Sequence, residues 1–349
     1  MTVMNIEVSE CAEGDIAAAD IISDNGIILV TKDTCLNSYI KGRLMELGIS
    51  NICIYSNAMN SLNHSSRTCL KYEQSYKEAV LSMKEILNSI ASGEKLDFTK
   101  VVKVSEEICE SIQGCDYIIK YMNEIRENDE YTYYHCVNTA FYSMFIGKWL
   151  GKYKEDIFNL VLSGLVHDIG KIKIPNTVLN KNGRLSGEEY EVVKNHTILG
   201  YKLLNEINEI DQEVKLTALL HHERVDRSGY PFKAPPEAVG LYAKIVAVSD
   251  VFDAMTSDRV YKKRATPFDA FEMFITSGIG IFDTIILKTF LKNIPKYYIG
   301  ADVILDNGEN GKIVYIPPHD ILYPIIETGS GYIDLSAKGS PKVLKMIWN

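Results

Sequence analysis

The chain has 349 residues, 46% hydrophobic and 24% charged, which excludes a disordered chain, a collagen-like fibre and a disulfide miniprotein. With 37 Lys and Arg against 46 Asp and Glu, the net charge is −9. That balance disfavours sequence-independent binding to DNA or long RNA, while a local basic patch can still hold a small anion.

In chain order, Ile21–Ile22 and residues 27–30 flank Ser23-Asp24-Asn25-Gly26, a hairpin signal. Residues 39–47 have helical spacing and stop at Gly48, and the short apolar run 52–55 follows. Residues 1–60 are therefore expected to form a small mixed α/β domain. The polar stretch 56–68 reads as a linker, and the region 61–124 reads as helical, with a break at Ala91-Ser92-Gly93-Glu94. From 125 to 295 several helical patterns alternate with Gly/Pro loops, and one opens on the capping box Ser186-Gly187-Glu188-Glu189. After Pro295 the runs 303–305, 312–316 and 323–327 are short and β-like, so 296–349 is expected to be a small β-rich appendage. The N-terminus lacks the basic-then-apolar pattern of a signal peptide, and no apolar run approaches 18 residues. The seven cysteines, none at C-x-x-C spacing, read as reduced thiols. The expectation is a cytoplasmic protein with no membrane span.

The chemistry concentrates in one stretch. Five of the seven histidines, His135, His167, His196, His221 and His222, lie between 135 and 222. Asp168 follows His167 directly, and Asp250 follows the apolar run 245–248. Ionisable groups at the ends of core helices are costly to bury unless partnered, and a metal can partner several at once. Imidazole with carboxylate suits Fe, Mn, Zn and similar ions, and a carboxylate has two oxygens with which to bridge a pair. Successive motifs stand 25 to 32 residues apart, room for about one helix and its return, so a bundle can aim them at one point. A single histidine at a helix end is ordinarily a capping or core residue; the combination carries the reading.

The string His167-Asp168-Ile169-Gly170-Lys171 resembles the signature of HD-domain metal phosphohydrolases. The string His221-His222-Glu223-Arg224, followed by Gly229-Tyr230-Pro231, narrows the resemblance to the HD-GYP subgroup. Residues 129–135, 181–185, Asn195-His196 and 249–262 agree with it, and the likeness covers about 125–290. It implies a mainly α protein: an all-helical HD-type metal-binding domain over 125–295, flanked by a small N-terminal α+β unit and a small C-terminal β appendage. It further implies a cyclic di-GMP phosphodiesterase of bacterial second-messenger signalling, with linear pGpG or GMP as product. A dinuclear Fe or Mn centre would be held by His135, His167, Asp168, His196, His221, His222 and Asp250, with Asp168 bridging and a hydroxide between the metals as nucleophile. Lys171, at i,i+4 from His167, would hold the scissile phosphate. Asp129 would orient the attacking water or take its proton. Gly229, Tyr230 and Pro231 would shape the mouth, with Tyr230 against a guanine. Arg259 and Lys262, three apart on one helix face, and Arg224 would contact the substrate.

Two departures stand out. Arg227 occupies a position where the family usually has Gly, which either alters the loop, because Arg avoids positive φ, or adds a phosphate contact. Tyr131 stands where members with a third metal carry Glu, and phenol is a poor ligand for a hard cation, so two metals are expected. Two other readings remain open: a sensor or scaffold that binds cyclic di-GMP with little turnover, and another HD-type nucleotide phosphohydrolase. The N-terminal unit is expected to be a regulatory or dimerisation module. A homodimer and signalling-protein partners are compatible with the sequence.

Overall fold

The computed structural model describes residues 3–55, 61–110, 118–119, 121–122, 131–257 and 265–347. These fall into two units that are discontinuous in sequence: Met1–Thr68, Thr266–Glu272 and Leu291–Asn349 form one, and Cys69–Ala265 and Met273–Phe290 the other.

In the first unit β1 (Val3–Glu7) pairs antiparallel with β4 (Asn51–Tyr55), from Val3 opposite Tyr55 to Glu7 opposite Asn51. Between them β2 (Ile21–Ile22) and β3 (Ile28–Val30) form the expected hairpin, whose turn places Gly26 at φ +80°, a conformation glycine adopts without a Cβ penalty. Helix α1 (Ser38–Glu46) begins at Asn37, whose side chain accepts from the Ile40 amide. The same Asn37 amide donates to the Val314 carbonyl at 2.7 Å, in the C-terminal sheet. That sheet has five strands, β5 (Asp302–Leu305), β6 (Asn310–Tyr315), β7 (Ile325–Thr328), β8 (Gly331–Asp334) and β9 (Val343–Ile347), in the order β8-β7-β6-β5-β9. Ile299 and Tyr315 pack against the cluster of Val8, Ile21, Leu36, Ile40, Leu44 and Ile54. Segments expected as separate modules at the two ends of the chain thus bury one shared core.

The second unit is helical. Helix α2 (Ser61–Ala91) continues through residues 61–68, where a linker was expected, and α3 (Phe98–Glu110) follows. Helix α4 (Tyr131–Trp149) is buried continuously from His135 to Gly147, so it has no solvent face and acts as the axis of the unit. Helix α5 (Lys154–Val166) crosses it at glycine: a Cβ on Gly164 would lie 2.4 Å from Ala140 Cα. The chain then makes a 3-10 turn (Ile169–Lys173), α6 (Asn176–Leu179), α7 (Gly187–Lys194), α8 (His196–Asn205), α9 (Gln212–Leu220) and α10 (Leu241–Thr256); α11 (Pro267–Thr276) and α12 (Thr284–Asn293) follow, and of these residues 273–290 belong to this unit. Helix α7 carries the expected capping box, with Ser186 Oγ accepting from the Glu189 amide and the Glu189 carboxylate accepting from the Ser186 amide. Behind α4 the rings of Tyr142, Phe252, Phe274 and Phe290 interlock, Phe252 and Phe290 at 4.9 Å. Among the described residues no helix is long and apolar enough to cross a membrane.

Candidate metal centre

Five elements deliver the seven predicted ligands. His135 lies in the first turns of α4. His167 caps the C-terminus of α5, and Asp168 begins the 3-10 turn that follows. His196 opens α8, and His221 caps the end of α9 with His222 next to it. Asp250 sits inside the unbroken helix α10, not at a helix end as its apolar run had suggested. The run 245–248 looks terminal only because the ligand face interrupts it with a polar residue.

The seven form two groups. Asp168, His196, His221 and His222 each offer a ligand atom within 4.8 Å of the others, and so do His135, His167 and Asp250. Asp168 stands between them. Its Oδ1 is 3.2 Å from His196 Nε2 and 3.8 Å from His221 Nε2, while its Oδ2 is 3.2 Å from His167 Nε2 and 3.5 Å from His135 Nε2. All but His222 and Lys171 among these polar groups are nearly inaccessible to solvent.

The imidazoles are held in one tautomer from behind. Nδ1 of His167, His196 and His221 donates to the carbonyls of Gly164, Val193 and Thr217 at 2.8, 2.8 and 3.1 Å. His135 Nδ1 donates to Asp253 Oδ2 at 2.7 Å. Each Nε2 is thereby left facing the cluster. Burial, with His222 and His167 close by, holds His221 well below the usual imidazole range, and burial brings His222 down to about 3, with Asp250 opposing. Burial opposes the charge on Asp168, but the neighbouring Lys171 and His167 hold it well below the carboxylate range. Burial likewise opposes Asp250, and His135 and His222 more than reverse it. His135 goes the other way: burial opposes its charge, but Tyr131 and the carboxylates of Asp168, Asp250 and Asp253 raise it well above the usual imidazole range, so a cation bound there would displace a proton.

The residues fit a metal pair on a separate observation. His167 Nε2, His196 Nε2, His221 Nε2 and Asp168 Oδ1 are buried without a hydrogen-bond partner. Four orphaned polar atoms converging on one point carry a large desolvation cost, and cations coordinated there would relieve it.

The remaining predicted residues are placed as follows. Lys171 reaches Asp168 Oδ2 from a 3-10 turn, because α5 ends at Val166; the α-helical i,i+4 relation to His167 does not exist, yet the ammonium still meets the cluster. Tyr230 stacks on His222 at 4.5 Å and lies edge-on to Tyr190 at 6.5 Å, and burial with Tyr190, Asp168 and Asp250 pushes its phenol up. Gly229 fits where a Cβ would meet the His222 carbonyl oxygen at 2.3 Å. Arg224 is turned inward: its guanidinium donates to the carbonyls of His221 and Glu223 at 3.0 Å and covers the Phe282 ring. Its hydrogen bonds brace the ligand-bearing backbone. Arg227 adopts φ +64°, the left-handed conformation its glycine-like position demands. Tyr131 stacks on His135 at 5.3 Å. Asp129, Arg259 and Lys262 lie outside the described residues.

Two buried acids were missed by sequence reasoning. Asp253 orients His135, and Glu223 ties the loop after His222 by accepting from the amides of Phe232 at 2.7 Å and Ala234 at 3.0 Å. Asp253 had a readable signal: it falls one helical turn after Asp250 in an otherwise apolar helix, where an acid needs a partner.

Comparison with known proteins agrees with this geometry. Residues 122–283 match the HD domain family. A cyclic di-GMP phosphodiesterase of Pseudomonas aeruginosa is 30% identical over 266 residues, 76% of this chain and 62% of its own length. A cyclic di-GMP phosphodiesterase response regulator of Xanthomonas campestris pv. campestris is 42% identical over 139 residues, 40% of this chain and 37% of its own length. The chain thus spans from about a third to less than two thirds of these relatives. A solved HDG"Y"P protein of Bdellovibrio bacteriovorus shares the fold at a TM-score of 0.51 and 15% identity, over 83% of this chain and 98% of its own. The matched stretch, residues 122–283, contains all seven clustered side chains.

Proposed function

We propose that the protein is a dinuclear, metal-dependent phosphodiesterase that hydrolyses cyclic di-GMP. The observation that carries this reading is the position of Asp168, with one carboxylate oxygen toward His196 and His221 and the other toward His135 and His167. A residue so placed would bridge two cations, with His196, His221 and His222 completing one site and His135, His167 and Asp250 the other. The N and O donor set suits Fe or Mn. Two such ions would supply Lewis acidity and lower the pKa of a nucleophilic water, the requirements of in-line phosphodiester cleavage.

The chain's own groups do the rest. The Lys171 ammonium, at the rim of the cluster, is placed to neutralise charge on the scissile phosphate. Tyr230, Gly229 and Pro231 form the mouth, with Tyr230 offering an aromatic face to a purine. Arg259 and Lys262 would hold the second phosphate, and Asp129 the attacking water. The names of the Pseudomonas and Xanthomonas relatives point to the same substrate.

The test pairs metal content per chain, on anaerobically purified protein, with a product assay on cyclic di-GMP. About two Fe or Mn per chain and release of pGpG or GMP are expected, and Asp168→Asn should lose both. Metal-free protein, or tight binding of cyclic di-GMP without product, would overturn the enzymatic reading in favour of a sensor.

A further inference from the structure

We propose that Tyr76, on α2, is a positioning residue for the metal centre, acting through Asn138 and Asp253 to fix the tautomer and ring orientation of His135. The proposal rests on the dinuclear reading above.

Four buried side chains form a continuous series. Tyr76 Oη lies 2.7 Å from Asn138 Oδ1, Asn138 Nδ2 lies 2.8 Å from Asp253 Oδ1, and Asp253 Oδ2 lies 2.7 Å from His135 Nδ1. All four residues are at most 2% exposed, so water cannot substitute for a lost partner.

The direction of every bond is forced by chemistry. An ionised carboxylate only accepts, so His135 must present Nδ1–H and Asn138 must present its NH₂ to Asp253. The Asn138 carbonyl oxygen then faces Tyr76, whose hydroxyl must donate. His135 Nε2 is then the ring nitrogen that faces the cluster, 3.2 Å from Asp250 Oδ1 and 3.5 Å from Asp168 Oδ2. Removing the Tyr76 hydroxyl strands a buried acceptor. The Asn138 amide can then flip, which turns its carbonyl oxygen against the Asp253 carboxylate. Asp253 would lose the Asn138 donor on the oxygen that also accepts from the Ser257 hydroxyl at 3.0 Å, and its angle to His135 would be held less firmly.

The Tyr76 ring is independently anchored. It packs edge-on to Tyr121 at 5.6 Å and against Phe141 at 5.8 Å. Tyr76→Phe therefore deletes the donor and keeps the packing. The effect should be confined to one of the two cation sites, because none of the residues in the series belongs to the group of Asp168, His196, His221 and His222.

The experiment strips the full chain of metal with a chelator and titrates it with Mn²⁺, counting free ion by its electron paramagnetic resonance signal. His222→Asn identifies which stepwise constant belongs to the other site. Outer partners of metal-bound histidines typically contribute 10- to 100-fold in affinity. Asp253→Asn should fall within that range at the His135 site, and Tyr76→Phe should lose about tenfold there. The second site should change less than about twofold in both variants. In a double-mutant cycle, Tyr76→Phe added to Asp253→Asn should cost little more, because the series is already cut. Unchanged constants, equal weakening of both sites, or additive losses would overturn the proposal. Wild-type protein that binds no Mn²⁺ at all would overturn the dinuclear reading itself, an outcome distinct from binding that ignores Tyr76.

Discussion

Replacing Gly170 by Ala would test whether a close backbone approach sets the metal site. Gly170 lies in the 3-10 turn two residues after Asp168. A Cβ there would stand 2.0 Å from the His196 carbonyl oxygen, 2.4 Å from the Gly200 amide nitrogen and 2.9 Å from the His196 carbonyl carbon. All three are backbone atoms of α8, so no rotamer change relieves the clash. Restoring an ordinary contact of about 3.5 Å requires the turn and the helix to separate by about 1.5 Å. His196 Nε2 is only 3.2 Å from Asp168 Oδ1, and ligand distances tolerate about 0.2 Å, so the shift would break the first cation group. Overpacking of this kind costs about 1–3 kcal/mol or more. At about 2–4 °C per kcal/mol, the metal-free Tm should drop by roughly 2–12 °C. Mn²⁺ at a hundred times its Kd adds about 2.7 kcal/mol per site in the wild type, and the variant should forfeit that increment at the site containing His196. Thermal unfolding with and without Mn²⁺ measures both terms. A metal-free Tm within 1 °C of wild type together with the full Mn²⁺ increment would refute the reasoning.

Arg227→Gly should stabilise the protein by roughly 0.5–1 kcal/mol, because about 1–2 kcal/mol of left-handed strain at φ +64° is relieved against the entropy cost of glycine; an unchanged or lower Tm would count against it. Glu223→Gln leaves one of the amides of Phe232 and Ala234 facing an NH₂ group, at a cost of about 1–3 kcal/mol, so both amides should exchange hydrogen faster, and unchanged protection would contradict the tie. Burial pushes Cys109 and Cys136 up to about 12, and burial with Asp15 pushes Cys11 up to about 11. Their thiolate fraction rises only as pH approaches those values, so at pH 8 iodoacetamide should label exposed Cys35 well before all three, as read by peptide mass spectrometry; labelling of Cys136 as fast as Cys35 would contradict its burial.

The clustered imidazoles and carboxylates were legible in the sequence because such groups are expensive to bury, and expensive residues in apolar surroundings announce themselves. Their partners were harder to read. Asp253 is 118 residues from His135, and Asn138 is 62 from Tyr76, so no local periodicity links them. The hairpin around Gly26 and the capping box at Ser186 were readable because each is closed within a few residues by its own chemistry. Strands β8 and β9 were not, because three of the four β8 positions are exposed and Leu344 in β9 is 63% exposed. Such strands carry little of the alternation that marks a half-buried one. The common core of the two chain ends escaped for the same reason as Asp253: Asn37 and Val314 meet across 277 residues.

Local pattern and distant partner therefore divide the centre between them. Motif spacing supplies ligand types, but it leaves open which nitrogen of each ring faces inward. That choice comes from Gly164, Val193 and Thr217 for three of the rings, each three or four residues before its histidine in the turn that ends or precedes a helix. These acceptors are backbone carbonyls in the last turns of helices, and those of Thr217 and Val193 also accept a backbone N–H. His135 differs: it lies near the start of a buried helix, and its Nδ1–H goes to Asp253, a side chain from elsewhere in the fold. Among these four rings, the one whose Nδ1 meets a side chain is thus the one held by a dedicated series, and it is where substitution far from the cations should be felt most.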